Sequence, residues 1–332
     1  MIFISIIIPC YNEEKYIEGC LNSILKSEYP LDFMELIIVD GGSSDNTLTI
    51  IKNFIHKFSL IKVLHNPHKT VPFAMNMGIK EARGEYIIRL DAHSTYPKEY
   101  FSKLIKYAII LNSDNIGGVC LTEVKTENYK SIAIKEVLSN KFGIGNSLFR
   151  VGVDQITEAD TVVFGCFKKS VFERFGYYDE RLERNQDIEL NKRIKRGGGK
   201  IFLVPEITCT YYAPDKFTDF IKKNFNNGKW NILTVYITKR LGSLSVRHFF
   251  PLLFLLSLIV PSTFSLIYFP LIYISLVSFI IYSILYILIS LNITTGKNTR
   301  FMHLWISFWI LHISYGVGSL YGIFRLPFLK NE

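Results

Sequence analysis

Two short clusters in this chain carry side chains that could do chemistry. In one, Asp91-Ala92-His93 follows the strand-like run Glu85–Leu90, so Asp91 and His93 face one side together. A carboxylate beside an imidazole suits Mn2+ or Mg2+ bridging a diphosphate, and the imidazole favours the softer Mn2+. The competing reading is an Asp-capped turn with a surface histidine. In the other cluster, Asp40 ends the apolar run Leu36–Val39 and opens Gly41-Gly42-Ser43-Ser44-Asp45. Its carboxylate can accept N–H groups from a nucleobase or cap the next helix. Ser43 and Ser44 are available as caps, which leaves Asp40 for a ligand. Asp45 reads as a helix N-terminal residue favoured by the macrodipole. Lys69 is a further candidate for a diphosphate or base contact, although exposed lysines usually do nothing specific.

The surrounding pattern supplies a scaffold. Phe3–Pro9, Leu36–Val39, Leu60–Leu64 and Glu85–Leu90 read as strands, while Glu13–Leu25, Asp45–Phe58 and Val71–Ala82 repeat apolar residues with a helix period. Such alternation predicts an α/β fold of parallel β-α-β units with helices on both faces of one sheet. Ligands of such sheets sit beyond the carboxyl ends of the strands. Tyr11–Glu13, Asp40–Asp45 and Asp91–His93 all fall there. From 112 to 212 the pattern is less regular, with strands predicted at Val162–Phe167 and Ile201–Val204 and a helix at Asp187–Arg196.

Five blocks occur in order: SIIIPCYNEE (5–14), IIVDGGSSDNT (37–47), MNMGIKEARGEYIIRLDAH (75–93), GCFKKSVFERFGYYDE (165–180) and NQDIEL (185–190). Together they make residues 3–230 resemble a family 2 glycosyltransferase with the GT-A nucleotide-sugar fold, most of all the succinoglycan-type exopolysaccharide glucosyltransferases. The resemblance implies that Asp40 contacts the base of a nucleotide sugar, with Pro9, Tyr11 and Glu13 lining the same pocket. It places Asp91 and His93 at the metal and diphosphate, with His93 standing where the family usually has a second Asp. It makes Asp187 the base that deprotonates an acceptor hydroxyl, with Gln186 in place of the usual Glu. A dipole-stabilised helix start is the competing account of Asp187. It also sets Gly165 and Cys166 on the acceptor side. Asn226–Trp230 is similar to the Gln-x-x-Arg-Trp segment of processive relatives, so Lys229 and Trp230 would close over the diphosphate and acceptor sugar, or else anchor at a membrane interface.

Composition bounds these readings. Of 332 residues, 49% are hydrophobic and 20% charged, which excludes disorder. Phe249–Leu291 and Phe301–Phe324 contain no Asp, Glu, Lys or Arg, enough for about three membrane spans: Phe249–Tyr268, Leu271–Leu291 and Met302–Phe324. The net charge of +9 is concentrated in residues 213–248, where seven basic residues face two acidic ones. That pattern suits anionic lipid headgroups and a cytoplasmic side, and argues against nucleic acid. Lys297 and Arg300 fit a cytoplasmic return between spans, whereas Arg325 and Lys330 would lie outside after three crossings. Five scattered cysteines without a C-x-x-C pair suit a reducing compartment. The expected organisation is a GT-A domain over 1–212, a basic interfacial segment over 213–248 and transmembrane helices over 249–332. The expected function is a multi-pass cell-membrane enzyme with a cytoplasmic catalytic domain. By inverting, metal-dependent transfer it moves a sugar from a nucleotide diphosphate donor, UDP-sugar favoured, to a lipid-linked or saccharide acceptor in cell-surface or exopolysaccharide synthesis. The alternatives are transfer to a polyprenyl phosphate, an inactive membrane scaffold, or a channel component, the last disfavoured by the uncharged spans.

Overall fold

The structure is a computed structural model that describes residues 1–296 and 299–329. Lys297 and Lys330, two charges weighed above, lie outside the described residues. The chain divides into two compact units, one from residues 1–121 with 148–212, the other from 122–147 with the chain from 213 onward.

In the first unit, β1 (Ile4–Cys10), α1 (Ile17–Leu25), β2 (Met34–Asp40), α2 (Thr47–Ile55), β3 (Ile61–His65), α3 (Val71–Glu81) and β4 (Tyr86–Arg89) alternate as the sequence predicts. Nearly every residue of β1 and β2 is buried, because parallel strands are covered on both faces. Then come β5 (Ser94–Thr95), α4 (Tyr100–Ile110) and β6 (Asn115–Glu123). After α5 (Tyr129–Leu138) and α6 (Lys141–Ile144), which belong to the second unit, the chain returns with α7 (Leu148–Val151), β7 (Thr157–Glu158), β8 (Val163–Lys168), α8 (Ser170–Phe175), α9 (Gln186–Arg196) and β9 (Ile201–Tyr212). The sheet order is β3-β2-β1-β4-β8-β6-β9-β5, with β7 on β9. Pairing is parallel along β3-β2-β1-β4. It turns antiparallel where β8 enters between β4 and β6, so the expected parallel units make up one half of the sheet. A buried cluster including Ile7, Val39, Met75, Ile87, Phe167 and Leu190 joins α3 and α9 to this sheet. At about 1.5–3 kcal/mol per fully buried large apolar side chain, it fixes the start of α9, where Asp187 stands.

The second unit adds α10 (Phe217–Thr238), α11 (Phe250–Phe264), α12 (Ile272–Gly296) and α13 (Phe301–Arg325). Among the described residues, three segments are long and apolar enough to cross a membrane: Val246–Phe264, Phe269–Thr295 and Phe301–Phe328. These agree with the sequence expectation to within a few residues, and α11 runs on through Pro261. Close packing joins α10 to α13. A Cβ added to Gly228 would stand 1.9 Å from the Tyr315 carbonyl oxygen, and one on Gly318 would stand 2.0 Å from that of Phe225. Small residues allow such backbone approach between apolar helices. Helix α5 also packs on α13, which is why residues 122–147, read above as part of the first domain, join this unit. All five cysteines are free and buried.

Candidate functional site

The loops that follow β1 and β2 clasp each other through side chains. Ser43 Oγ accepts from the Asn12 N–H at 2.9 Å, and Asn12 Oδ1 accepts from the Ser44 N–H at 2.8 Å. Thr47 Oγ1 accepts from the Glu13 N–H at 2.8 Å, and Asp45 Oδ2 accepts from the Glu14 N–H at 3.2 Å. Asn12 sits at φ 54°, a left-handed conformation that asparagine tolerates better than most residues. The clasp fixes Glu13 at the strand end. Asp40 is 2% exposed and shapes the neighbouring turn. Its Oδ2 accepts the Gly42 and Ser43 N–H groups at 2.8 and 3.0 Å, and its Oδ1 accepts the Ser43 hydroxyl at 2.6 Å. Ser43 therefore serves Asp40 and Asn12 rather than the helix; Asn46 makes no cap with its own side chain, and Asp45 Oδ1 accepts the Thr47 N–H at 3.0 Å at the start of α2. A carboxylate offers about four acceptor positions, so Asp40 retains one.

A cavity of about 170 Å³ opens beside the clasp, lined by Pro9, Tyr11, Glu13, Gly41, Asn66, Lys69, Arg89, Asp91 and His93 among others. Lys69, at φ 60°, holds its Nζ 5.9 Å from the Tyr11 ring centroid. His93 Nδ1 lies 3.1 Å from Glu13 Oε1, and its Nε2 lies 4.0 Å from Asp91 Oδ2. Its ring meets Tyr211 edge-on at 5.6 Å, and Arg150 stacks over Tyr211 at 4.5 Å. Burial alone would depress the imidazole. The hydrogen bond to Glu13 and the charges of Asp91 and Glu13 outweigh it and push the group up to about 9.

Asp187 is the second residue of α9, and its Oδ1 accepts the Ile188 N–H at 2.9 Å. Its Oδ2 lies 3.7 Å from Arg89 Nη1, while Arg89 Nη2 donates to Asp91 Oδ1 at 3.2 Å. The two carboxylates thus meet across one buried guanidinium. Burial opposes that charge, but Asp91 and then Asp187 hold it well above its ordinary value. The sequence reading passes over Arg89, Tyr211 and Arg150. A basic residue inside an apolar strand is the one local signal for Arg89, and no motif spacing marks the other two.

The family model for glycosyl transferase family 2 matches residues 5–191, a span that holds Glu13, Asp40, Asp91 and Asp187. This chain belongs to that family. Among relatives of this glycosyltransferase is the dolichyl N-acetyl-alpha-D-glucosaminyl phosphate 3-beta-D-2,3-diacetamido-2,3-dideoxy-beta-D-glucuronosyltransferase of Methanococcus voltae, 32% identical over 81% of this chain and 84% of the relative. The succinoglycan biosynthesis protein ExoA of Rhizobium meliloti is 29% identical over 68% of this chain and 67% of its own length. The mannosyltransferase PcManGT from Pyrobaculum calidifontis, in complex with GDP-Man and Mn2+, shares the fold with a TM-score of 0.60 and 14% identity, covering 96% of this chain and 87% of that one. The fold is the GT-A arrangement expected from the motifs.

The remaining expected residues of the glycosyltransferase, Gly165, Cys166, Lys229 and Trp230, are not among those that line the cavity beside the clasp. Gly165 and Cys166 are in β8, where Cys166 pairs with Ile88 and Ile116 and is 1% exposed. Burial raises its thiol far above the ordinary range. A Cβ on Gly165 would meet Asn115 Oδ1 at 2.5 Å and the Phe167 ring at 2.8 Å. On the side where a Cβ would stand, Gly165 is therefore packed against protein atoms. Lys229 and Trp230 lie on α10 in the second unit, with Lys229 Nζ 5.7 Å from the Trp230 ring centroid.

Among the described residues, no group of three or more His, Cys, Asp or Glu is set to hold a metal. The donor set nevertheless fits one ion shared with a substrate. Asp91 and His93, whose Oδ2 and Nε2 lie 4.0 Å apart, are a carboxylate and an imidazole that would hold a divalent cation together with substrate oxygens. Glu13 against Nδ1 is the carboxylate partner that metal-ligating histidines commonly carry.

Proposed function

We propose that this protein is a membrane-anchored, inverting glycosyltransferase with its catalytic unit in the cytosol. Its donor would be a nucleoside diphosphate sugar, UDP-sugar first, and its acceptor a lipid-linked saccharide. The observation that carries this reading is the arrangement in one cavity of Glu13, His93 and Asp91, with Asp187 held beside them through Arg89. Asp40 with its turn, and Tyr11, would take the base, and Lys69 the diphosphate. Asp91 and His93 would hold a divalent ion, which when bound neutralises charge on the diphosphate. Asp187 would accept the proton of the acceptor hydroxyl as that oxygen forms its bond to the anomeric carbon. The bond from that carbon to the diphosphate oxygen breaks on the opposite face, and the nucleoside diphosphate leaves with the electron pair. Three apolar helices in the same chain, and a relative named for a dolichyl-phosphate-linked sugar, support a lipid-borne acceptor. The basic residues before the first apolar segment support a cytosolic catalytic unit.

The test uses membranes containing the full chain, supplied with UDP- and GDP-sugars, Mn2+ or Mg2+, and extracted lipid-linked acceptors. Asp187→Asn should lower transfer by about 10²–10⁴-fold, the usual share of a general base, with donor-induced thermal stabilisation retained. Undiminished transfer by that variant, or by the wild type in EDTA, would remove the respective role.

A further inference from the structure

Arg89 enters the reading above only as the link to Asp187 and has no role there in the reaction, yet it is a largely buried charge that lines the cavity. It ends β4 between Ile88 and Leu90, both fully buried. Its side chain is 12% exposed, and its Nε is buried without a hydrogen-bond partner. A guanidinium taken out of water is costly unless charge and hydrogen bonds compensate it. Here the compensation comes from two carboxylates on different elements, Asp91 just beyond β4 at 3.2 Å and Asp187 on α9 at 3.7 Å. Without a cation between them these two acids would repel each other.

The division of oxygens is informative. Arg89 engages Asp91 through Oδ1, while Oδ2 is the oxygen nearest His93 Nε2 at 4.0 Å. The guanidinium therefore sets the side-chain rotation that presents Oδ2 to His93. Its other amino group faces Asp187 Oδ2, so the fork of the guanidinium is split between donor side and acceptor side. A lysine carries a single point of charge and cannot span both carboxylates in this way.

We infer that Arg89 is a positioning residue that holds Asp91 and Asp187 in one rigid frame, tying the place where the diphosphate is gripped to the place where the acceptor loses its proton. This inference rests on the transferase reading proposed above. It assigns Arg89 to the alignment of the two half-sites and not to binding of the donor.

The experiment compares wild type, Arg89→Lys and Arg89→Ala in the same membranes, after wild-type transfer has been established. Absence of wild-type transfer with every donor would defeat the transferase reading itself, before Arg89 is addressed. Given wild-type activity, Arg89→Lys should lower kcat by about 10–100-fold with donor KM within about threefold, the loss expected when an orienting partner is removed. Arg89 lines the cavity, so added guanidinium chloride at millimolar concentration should restore part of the activity of Arg89→Ala. Donor-induced thermal stabilisation should persist in both variants, which reads folding and donor binding apart from turnover. Wild-type kcat in Arg89→Lys would overturn the inference. So would a loss confined to donor KM, or an Arg89→Ala variant that keeps its donor-induced stabilisation yet gains nothing from guanidinium.

Discussion

The two units bring backbone segments close together by opposite means. In the first, the loops after β1 and β2 are joined by side-chain oxygens on backbone N–H groups, and β4 is tied to α9 by a guanidinium between carboxylates. In the second, α10 and α13 meet where side chains are missing, at Gly228 and Gly318. Direction and charge set the first geometry; volume sets the second. The first unit should therefore respond to substitutions that keep shape and change charge, and the second to a few added carbon atoms.

The largest effect is expected from volume. Gly318→Val would drive a Cβ into the Phe225 carbonyl, now 2.0 Å from that position. It should cost about 3 kcal/mol, the upper end of ordinary overpacking, read as lower thermal stability in detergent. Gly242→Ala, with nothing within 4 Å of the added carbon, serves as the control and should change stability little. Equal stability of the two variants would mean that the helices simply move apart. The next effect is one of charge at constant shape. Glu13→Gln keeps the volume and weakens the hold on His93 Nδ1, so transfer should fall by about 10–100-fold, with the midpoint for Mn2+ raised. An unchanged metal midpoint would leave Glu13 as a loop residue only.

The smallest effect is a pH dependence of stability. His93 is held up to about 9 in the fold against about 6.5 in an unfolded chain. A raised imidazole contributes stability that is complete below about pH 6.5 and is lost as pH rises through 9. In EDTA, the melting temperature of the wild type minus that of His93→Gln should shrink between pH 6 and pH 10. A constant difference would show that the pair with Glu13 does not stabilise the fold.

How much of this was legible depended on the range of the interaction. Strands β1, β2 and β4 announce themselves because burial on both faces demands unbroken apolar runs. In the antiparallel half β8 and the start of β9 were readable as strands, whereas β5 and β7 have two residues each and no periodicity can show in so short a run. Lys69, a candidate diphosphate or base contact with no strand to place it, shares one cavity with Glu13, Asp91 and His93, which were readable from strand ends. The work of Ser43 was not, because its direction is set by Asn12, a residue on another loop. Gly165 is ambiguous for a related reason: a missing side chain looks the same in sequence whether a sugar approaches it or Asn115 packs against it. Arg89 carried one local signal, a charge inside an apolar strand two residues before Asp91, but its link to Asp187 is supplied only by tertiary folding.

The glycine contact of α10 with α13 has a consequence for the anchor. Each helix leans on bare peptide groups of the other, so the contact is one of close packing between backbones already hydrogen-bonded within their own helices. A chain cut short after α12 would uncover the face of α10 around Gly228 and forfeit that packing, so losing the last helix should loosen α10 as well.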